Sequence, residues 1–159
     1  MDASGKNFIG AVNYITKEFF MLPTPSIISD LPIHAGEMAV LLLVIDTWAG
    51  PTRAEVKPSE PSLCSKRLDL YSDNQAVIAS VNYGRSQNEF LAMGTRYIHY
   101  QMAFRDSTLA ITYVNTKDNV FADNLSRDCS TMVQFLQSSG FRRVFISEYR
   151  LSELIAFDI

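Results

Sequence analysis

The sequence has few of the features that would place it outside the cell or in a membrane. Only two cysteines are present, Cys64 and Cys129, and neither has His or Cys neighbours at metal-ligand spacing. We therefore expect free thiols rather than a disulfide or a zinc site. The longest apolar run, Met38 to Ile45, has eight residues, whereas a membrane span needs about 20. No secretory signal opens the chain, so we expect an intracellular location, cytoplasmic or nuclear.

The chain also lacks the basic excess of most autonomous nucleic-acid-binding proteins. It has 14 Lys and Arg against 17 Asp and Glu, and a net charge of −3. This balance argues against strong binding to nucleic acid through charge alone. Cations would neutralise part of the negative charge if some carboxylates are metal ligands. A length of 159 residues with 47% hydrophobic residues is typical of one globular domain with a sizeable core.

Hydrophobic patterns predict strands and helices in alternation along the chain. The predicted strands are 7–15, 19–22, 68–71 and 109–114, and the predicted helices are 35–48, 74–81, 86–104, 119–126 and 131–137. Gly84 separates two of these helices, and Ser86 with Glu89 three residues later predicts a capping box. The proline-rich residues 52–67 predict an exposed loop insert. Residues 141–159 match no motif and form a C-terminal extension, with a predicted strand and a predicted short helix (143–146 and 148–156).

Four acidic residues stand beside apolar or small residues: Asp2, Glu37, Asp73 and Asp123. A carboxylate next to an apolar run is costly to bury unless it is paired or coordinates a cation. Four of them in one small domain therefore predict a shared cation site. Taken singly, each has a structural alternative. Glu37 and Asp123 are candidates for first-turn residues that complement helix dipoles, and Asp73 is a candidate N-cap.

The order and the surroundings of these residues resemble the ribonuclease H domains of retroelement reverse transcriptases, most closely the DIRS-type and more loosely the gypsy-like ones. The matching segments are Asp2-Ala3-Ser4, Gly10-Ala11-Val12, the glutamate-bearing helix at 33–48, Leu70-Tyr71-Ser72-Asp73-Asn74, Gly84-Arg85-Ser86, and Asn119 to Arg127. The last of these fits the pattern N-x-x-A-D-x-L-S-R at every specified position. It is the most specific part of the resemblance.

The resemblance implies a ribonuclease H-like α/β fold for residues 1–140, a mixed five-stranded sheet flanked by helices. The strand of Asp2 would be central, Asp73 would end its neighbour, and all four carboxylates would converge on one edge. The implied activity is metal-dependent hydrolysis of the RNA strand of RNA–DNA hybrids during reverse transcription. Two Mg²⁺ ions, or Mn²⁺, would be bridged by Asp2, with Glu37 and Asp73 on one side and Asp123 on the other.

Candidates for substrate binding are Asn74, Arg85 and Asn119, by their positions in the matched motifs. The resemblance also implies a reverse transcriptase polymerase as a partner. This domain is expected upstream in a parent polyprotein, because the family's first strand normally begins several residues before its aspartate, whereas this chain begins one residue before Asp2.

The sequence departs from the family where many members carry a histidine before the final aspartate, since residues 112–118 contain none. His34 and His99 lie elsewhere and are expected to be surface or packing residues. The main alternative is a non-catalytic ribonuclease H-like module that is structural or holds the hybrid. The acidic charge and the missing histidine favour it, while retention of all four carboxylates favours the enzyme. A different nuclease or a transposase of the same superfold is a further alternative.

Overall fold

The computed structural model describes residues 2–3, 8–57, 59, 66–127 and 129–157, and only the backbone of residues 2, 3 and 129. The expectations for the thiols of Cys64 and Cys129 and for the carboxylate of Asp2 lie outside the described residues. The strands are β1 (Asp2–Ala3), β2 (Phe8–Asn13), β3 (Glu18–Pro23), β4 (Arg67–Ser72), β5 (Thr108–Tyr113) and β6 (Arg142–Arg143). The helices are α1 (Ser26–Ser29), α2 (Ile33–Trp48), α3 (Gln75–Tyr83), α4 (Glu89–Phe104), α5 (Val120–Arg127), α6 (Cys129–Ser138) and α7 (Glu148–Ile155).

Within the described residues, the strands form two sheets and not the expected five-stranded one. The larger sheet has the order β1-β2-β3-β6, and the smaller one pairs β4 with β5 in parallel. The expectation that the strand of Asp2 is central is also wrong here, because β1 is an edge strand. In β1, Asp2 lies opposite Gly10 and Ala3 lies opposite Ile9.

Helix α2 lies in the middle of the fold. Every residue from Ala35 to Ile45 is buried, because apolar side chains occupy the whole circumference of the helix. Strand β2 and helices α3, α4 and α7 pack around it. The main core contains Ile9 of β2 and Ile111 of β5 together with α2. One apolar core therefore joins the two sheets in a mixed α/β domain.

A second, smaller core lies on the opposite face of the larger sheet. Successive residues of β3 point to opposite faces, so Phe20 contributes to the main core and Phe19 to the second one. Phe19 is fully buried there with Leu125 of α5 and Leu136 of α6. The larger sheet is thus covered by α2 on one face and by α5 and α6 on the other.

The C-terminal residues pack onto both the sheet and α2. Strand β6 runs parallel to β3, with Arg142 opposite Glu18, and is shorter and begins earlier than predicted. Leu151 and Leu154 of α7 are buried in the main core. The guanidinium group of Arg150 donates to both carboxylate oxygens of Asp46, with a distance of 3.0 Å from Nε to Oδ2. Residues 142–155 are therefore an integral part of the packed domain.

The start of α4 differs from the predicted capping box. Asn88, not Ser86, is the N-cap, because its Oδ1 accepts a hydrogen bond from the amide of Leu91 at 3.0 Å. The Ser86 hydroxyl instead accepts from the amide of Asn88 at 3.1 Å and holds the preceding turn. Within the loop insert, residues 52–57 contain turns, and the amide of Arg53 donates to the carbonyl of Phe104 at the end of α4.

Candidate functional site

Glu37 is a buried carboxylate in the centre of the fold. Helix α2 begins at Ile33, so Glu37 lies in its second turn, and its exposed fraction is 2%. The alternative that Glu37 complements the helix dipole from the first turn is therefore wrong. Burial of a carboxylate is costly unless it is hydrogen-bonded, ion-paired or coordinates a cation. Glu37 is the most deeply buried of the three described carboxylates.

Asp73 lies directly after β4 and is half-buried. Its neighbour Asn74 is the N-cap of α3, with Oδ1 accepting from the amide of Val77 at 3.1 Å. The alternative that Asp73 is the N-cap is therefore wrong. Its Oδ2 instead accepts a hydrogen bond from the hydroxyl of Thr116 at 2.7 Å. Asp73 is thus held by a loop that lies far from it in the chain.

Asp123 lies in the first turn of α5, as its structural alternative requires. Its amide donates to the carbonyl of Asn119 at 3.0 Å, and its Oδ1 forms an ion pair with Nε of Arg127 at 3.0 Å. The carboxylate is largely shielded, with 21% of the side chain exposed, whereas Arg127 is 67% exposed. A helix-dipole role and a metal-ligand role are both compatible with this position.

Helix α5 lies directly against the larger sheet. A Cβ atom at Gly10 of β2 would be 3.1 Å from the Cβ of Leu125 and 3.1 Å from the carbonyl oxygen of Phe20. Glycine at this position therefore permits the close approach of α5. Ala122 and Leu125 are buried on the same helix. Two specified positions of the motif at 119–127, here called the closing motif, thus have a packing role.

The backbone of Asp2 lies between the two helices that carry other predicted ligands. Asp2 pairs with Gly10, and both α2 and α5 contact β1. Among the side chains that the structure describes, no three or more His, Cys, Asp or Glu residues form a group arranged to hold a metal ion. Glu37, Asp73 and Asp123 belong to that described set. Convergence of all four carboxylates stays a prediction, since the side chain of Asp2 lies outside it.

The three predicted substrate-binding residues occupy different surroundings. Asn74 uses its side-chain oxygen to cap α3, as described above. The backbone of Asn119 connects the loop before α5 to Asp123. Arg85 is exposed and borders a groove of about 490 Å³ between the start of α2 and the α3–α4 turn. Of the three, Arg85 is the one that borders an open groove.

The same groove contains residues that sequence reasoning did not select. His34 is half-buried at the start of α2, and its Nε2 lies 3.1 Å from the Nδ2 of Asn88. Ser86, Gln87 and Asn88 border the groove beside Arg85. No local pattern links His34 to a turn that lies 54 residues away along the chain. The glycine-arginine-serine match was the one available signal for this surface.

The donor set of the four predicted ligands consists of carboxylate oxygens alone. Mg²⁺ and Mn²⁺ favour hard oxygen donors, whereas zinc sites usually include thiolate or imidazole groups. The residue types therefore fit Mg²⁺.

Comparison of the chain with protein-family models, with curated proteins and with solved structures finds no match. Among the described residues, no helix combines the length and the apolar character that crossing a bilayer requires.

Proposed function

We propose that this chain is a metal-dependent endoribonuclease with a ribonuclease H-like fold, which hydrolyses the RNA strand of RNA–DNA hybrids during reverse transcription of a retroelement. One observation carries the proposal. Two of the acidic residues in the matched motifs lack the helix-end roles that would otherwise explain them. Asn74 caps α3 in place of Asp73, and Glu37 is buried in the second turn of α2. A ligand role accounts for both positions.

The strand arrangement agrees only in part with what a ribonuclease H-like fold requires. The resemblance implies that the strand of Asp2 and the strand before Asp73 are neighbours. In the described residues, β1 is an edge of the larger sheet, and β4 belongs to a separate parallel pair. Both sheets border the core around α2. The antiparallel order β1-β2-β3 and the parallel pair β4-β5 give the mixture of strand directions that the resemblance implies.

The chemistry follows from what the carboxylates would hold. Two divalent ions about 4 Å apart can activate a water and stabilise the leaving 3′ oxygen of a phosphodiester. Asp2, Glu37, Asp73 and Asp123 would hold these ions. The fold contributes rigid supports for these side chains: a buried helix for Glu37, a strand end for Asp73 and a sheet-packed helix for Asp123.

Substrate binding would depend on the groove beside Arg85. The guanidinium group of Arg85 suits a phosphate of the hybrid backbone, and the polar residues Ser86 and Asn88 border the same groove. Selection of the RNA strand must come from its 2′-hydroxyl groups and the groove width of the hybrid, which distinguish it without reading sequence. With a net charge of −3, binding by this chain should be weak and fall further with added salt.

The test is cleavage of labelled substrates by the chain and two variants. RNA–DNA hybrid, double-stranded DNA and double-stranded RNA are each incubated with Mg²⁺, Mn²⁺ or a chelator. Asp73→Asn should keep the fold and lower hybrid cleavage at least about 100-fold, because a ligand charge is lost from a two-metal site. Asp69→Asn, on the exposed face of β4, is the matched control and should retain activity. Near-normal cleavage by folded Asp73→Asn would contradict the proposal.

A second candidate function is a non-catalytic module that holds the hybrid or supports the polymerase. The ion pair of Asp123 with Arg127 and its first-turn position favour this candidate, because both give Asp123 a structural role without a metal. The cleavage assay separates the two functions. Hybrid binding without metal-dependent cleavage would identify the module, and metal-dependent cleavage of double-stranded DNA would identify a different nuclease.

A further inference from the structure

The loop between β5 and α5 is fixed to the end of β4. The amide of Val114 donates to the carbonyl of Ser72 at 2.9 Å. Within the loop, the amide of Asp118 donates to the carbonyl of Asn115 at 2.8 Å, and the amide of Asn119 donates to the carbonyls of Asn115 and Thr116. Residues 114–119 are therefore a hydrogen-bonded turn with a defined position beside Asp73.

Residues 114–119 contact two of the predicted ligands, Asp73 and Asp123. The hydroxyl of Thr116 donates to Oδ2 of Asp73 at 2.7 Å. At the other end of the turn, the carbonyl of Asn119 accepts from the amide of Asp123 at 3.0 Å. The side chain of Thr116 thus holds one predicted ligand, and the backbone of Asn119 holds the helix that carries another. The turn thus connects the Asp73 carboxylate with the start of α5.

We propose that Thr116 is a positioning residue that orients the Asp73 carboxylate for binding a divalent cation, an inference that rests on the proposed function. A half-buried aspartate at a strand end can rotate about both of its side-chain torsions. The hydrogen bond from Thr116 to Oδ2 restricts this rotation and so fixes the plane in which the carboxylate can bind a cation. Hydrogen bonds to metal-ligating carboxylates typically change metal affinity about 10–100-fold when they are removed. Thr116 also lies in the segment that contains no histidine.

A purely structural role for Thr116 predicts a different outcome. In that case its hydroxyl would stabilise the turn, and its loss would lower thermal stability without a selective effect on cation binding. Thr116→Val removes the hydroxyl and keeps the shape of the side chain, whereas Thr116→Ser keeps the hydroxyl. Thr112→Val makes the same change at an exposed position of β5 and is the matched control. Asp73→Asn reports whether Asp73 is a ligand at all.

The experiment measures the Mn²⁺ dissociation constant of each full-length variant from the electron paramagnetic resonance signal of free Mn²⁺, with folding checked by thermal denaturation. Thr116→Val should bind Mn²⁺ about 10-fold or more weakly, Thr116→Ser and Thr112→Val should stay close to the unmodified protein, and Asp73→Asn should be at least as weak as Thr116→Val. The role of Thr116 would be overturned if Thr116→Val binds Mn²⁺ as tightly as the unmodified protein while Asp73→Asn binds it more weakly. That result would leave the proposed function intact. Equal weakening of the valine and serine variants would also overturn the role of Thr116. Unchanged binding by Asp73→Asn would contradict both proposals.

Discussion

Replacement of Leu125 by alanine should weaken the contact between α5 and the larger sheet. Leu125 is fully buried in the second core with Phe19 and Leu136, and its Cβ lies close to Gly10. The alanine keeps that Cβ and leaves a cavity where the rest of the leucine side chain stood. The variant therefore tests whether α5 is held by this core, and with it the backbone of Asp123.

The expected loss in the free energy of unfolding is about 3 kcal/mol, within the range of about 2–5 kcal/mol for buried Leu→Ala changes. The middle of that range applies because the second core has a rim of half-buried residues, including Met21 and Met132. Methionine side chains can move into part of the cavity. With a urea slope of about 2 kcal/mol per molar, the unfolding midpoint should fall by roughly 1.5 M.

The assay is urea unfolding followed by circular dichroism. The slope of the free energy of unfolding against urea concentration is compared between variants, because an equal slope indicates the same unfolding transition. Ile15→Ala is the control, because Ile15 is 95% exposed, and an exposed substitution usually changes stability by less than about 0.5 kcal/mol. A loss below about 1 kcal/mol for Leu125→Ala would refute the packing of α5 described above. A similar loss for Ile15→Ala would refute the assignment of the effect to burial.

Two further predictions concern the N-cap of α4 and the ion pair between Glu18 and Arg142. Asn88→Ala should lower stability by about 1 kcal/mol in urea unfolding, because it removes the side-chain cap of α4; an effect no larger than that of Gln87→Ala, an exposed neighbour, would contradict the cap. Hydrogen bonding from the Arg142 guanidinium lowers the pKa of Glu18 below its ordinary value of 4.5, so the stabilisation is present above that value and lost as the pH falls through the lowered pKa. Glu18→Gln should therefore reduce stability by about 1 kcal/mol or less at pH 7, and this difference should shrink as the pH falls through the lowered pKa; a difference that stays constant on acidification would contradict it.

Elements with a local signal were predicted well from the sequence. A helix was predicted over 35–48, and the structure ends α2 at Trp48, with Gly50 two residues later at a φ of 84°. The break at Gly84 is confirmed by its left-handed conformation as the C-cap of α3, with a φ of 70°. In both cases one residue type reports on its own backbone conformation.

Features that depend on distant partners could not be predicted. Strand β6 pairs with β3 across more than half of the chain, and no pattern in two residues identifies that partner. The hydrogen bond from Thr116 to Asp73 joins residues 43 positions apart. The sequence could not show that Asn88 rather than Ser86 caps α4, because both residue types are favourable N-caps. In the structure, the side chains of both accept a hydrogen bond from a nearby backbone amide. Tertiary contacts decided these cases.

The closing motif carries less functional information than its agreement with the family pattern indicates. Ala122 and Leu125 are buried against the sheet, and Asp123 has an ion pair with Arg127. These contacts would stabilise α5 equally well in an inactive module. Glu37 and Asp73 lack the structural roles first considered for them, so they distinguish an enzyme from a scaffold more sharply than Asp123 does. For that reason the cleavage test depends on Asp73, whose carboxylate is oriented by its hydrogen bond from Thr116.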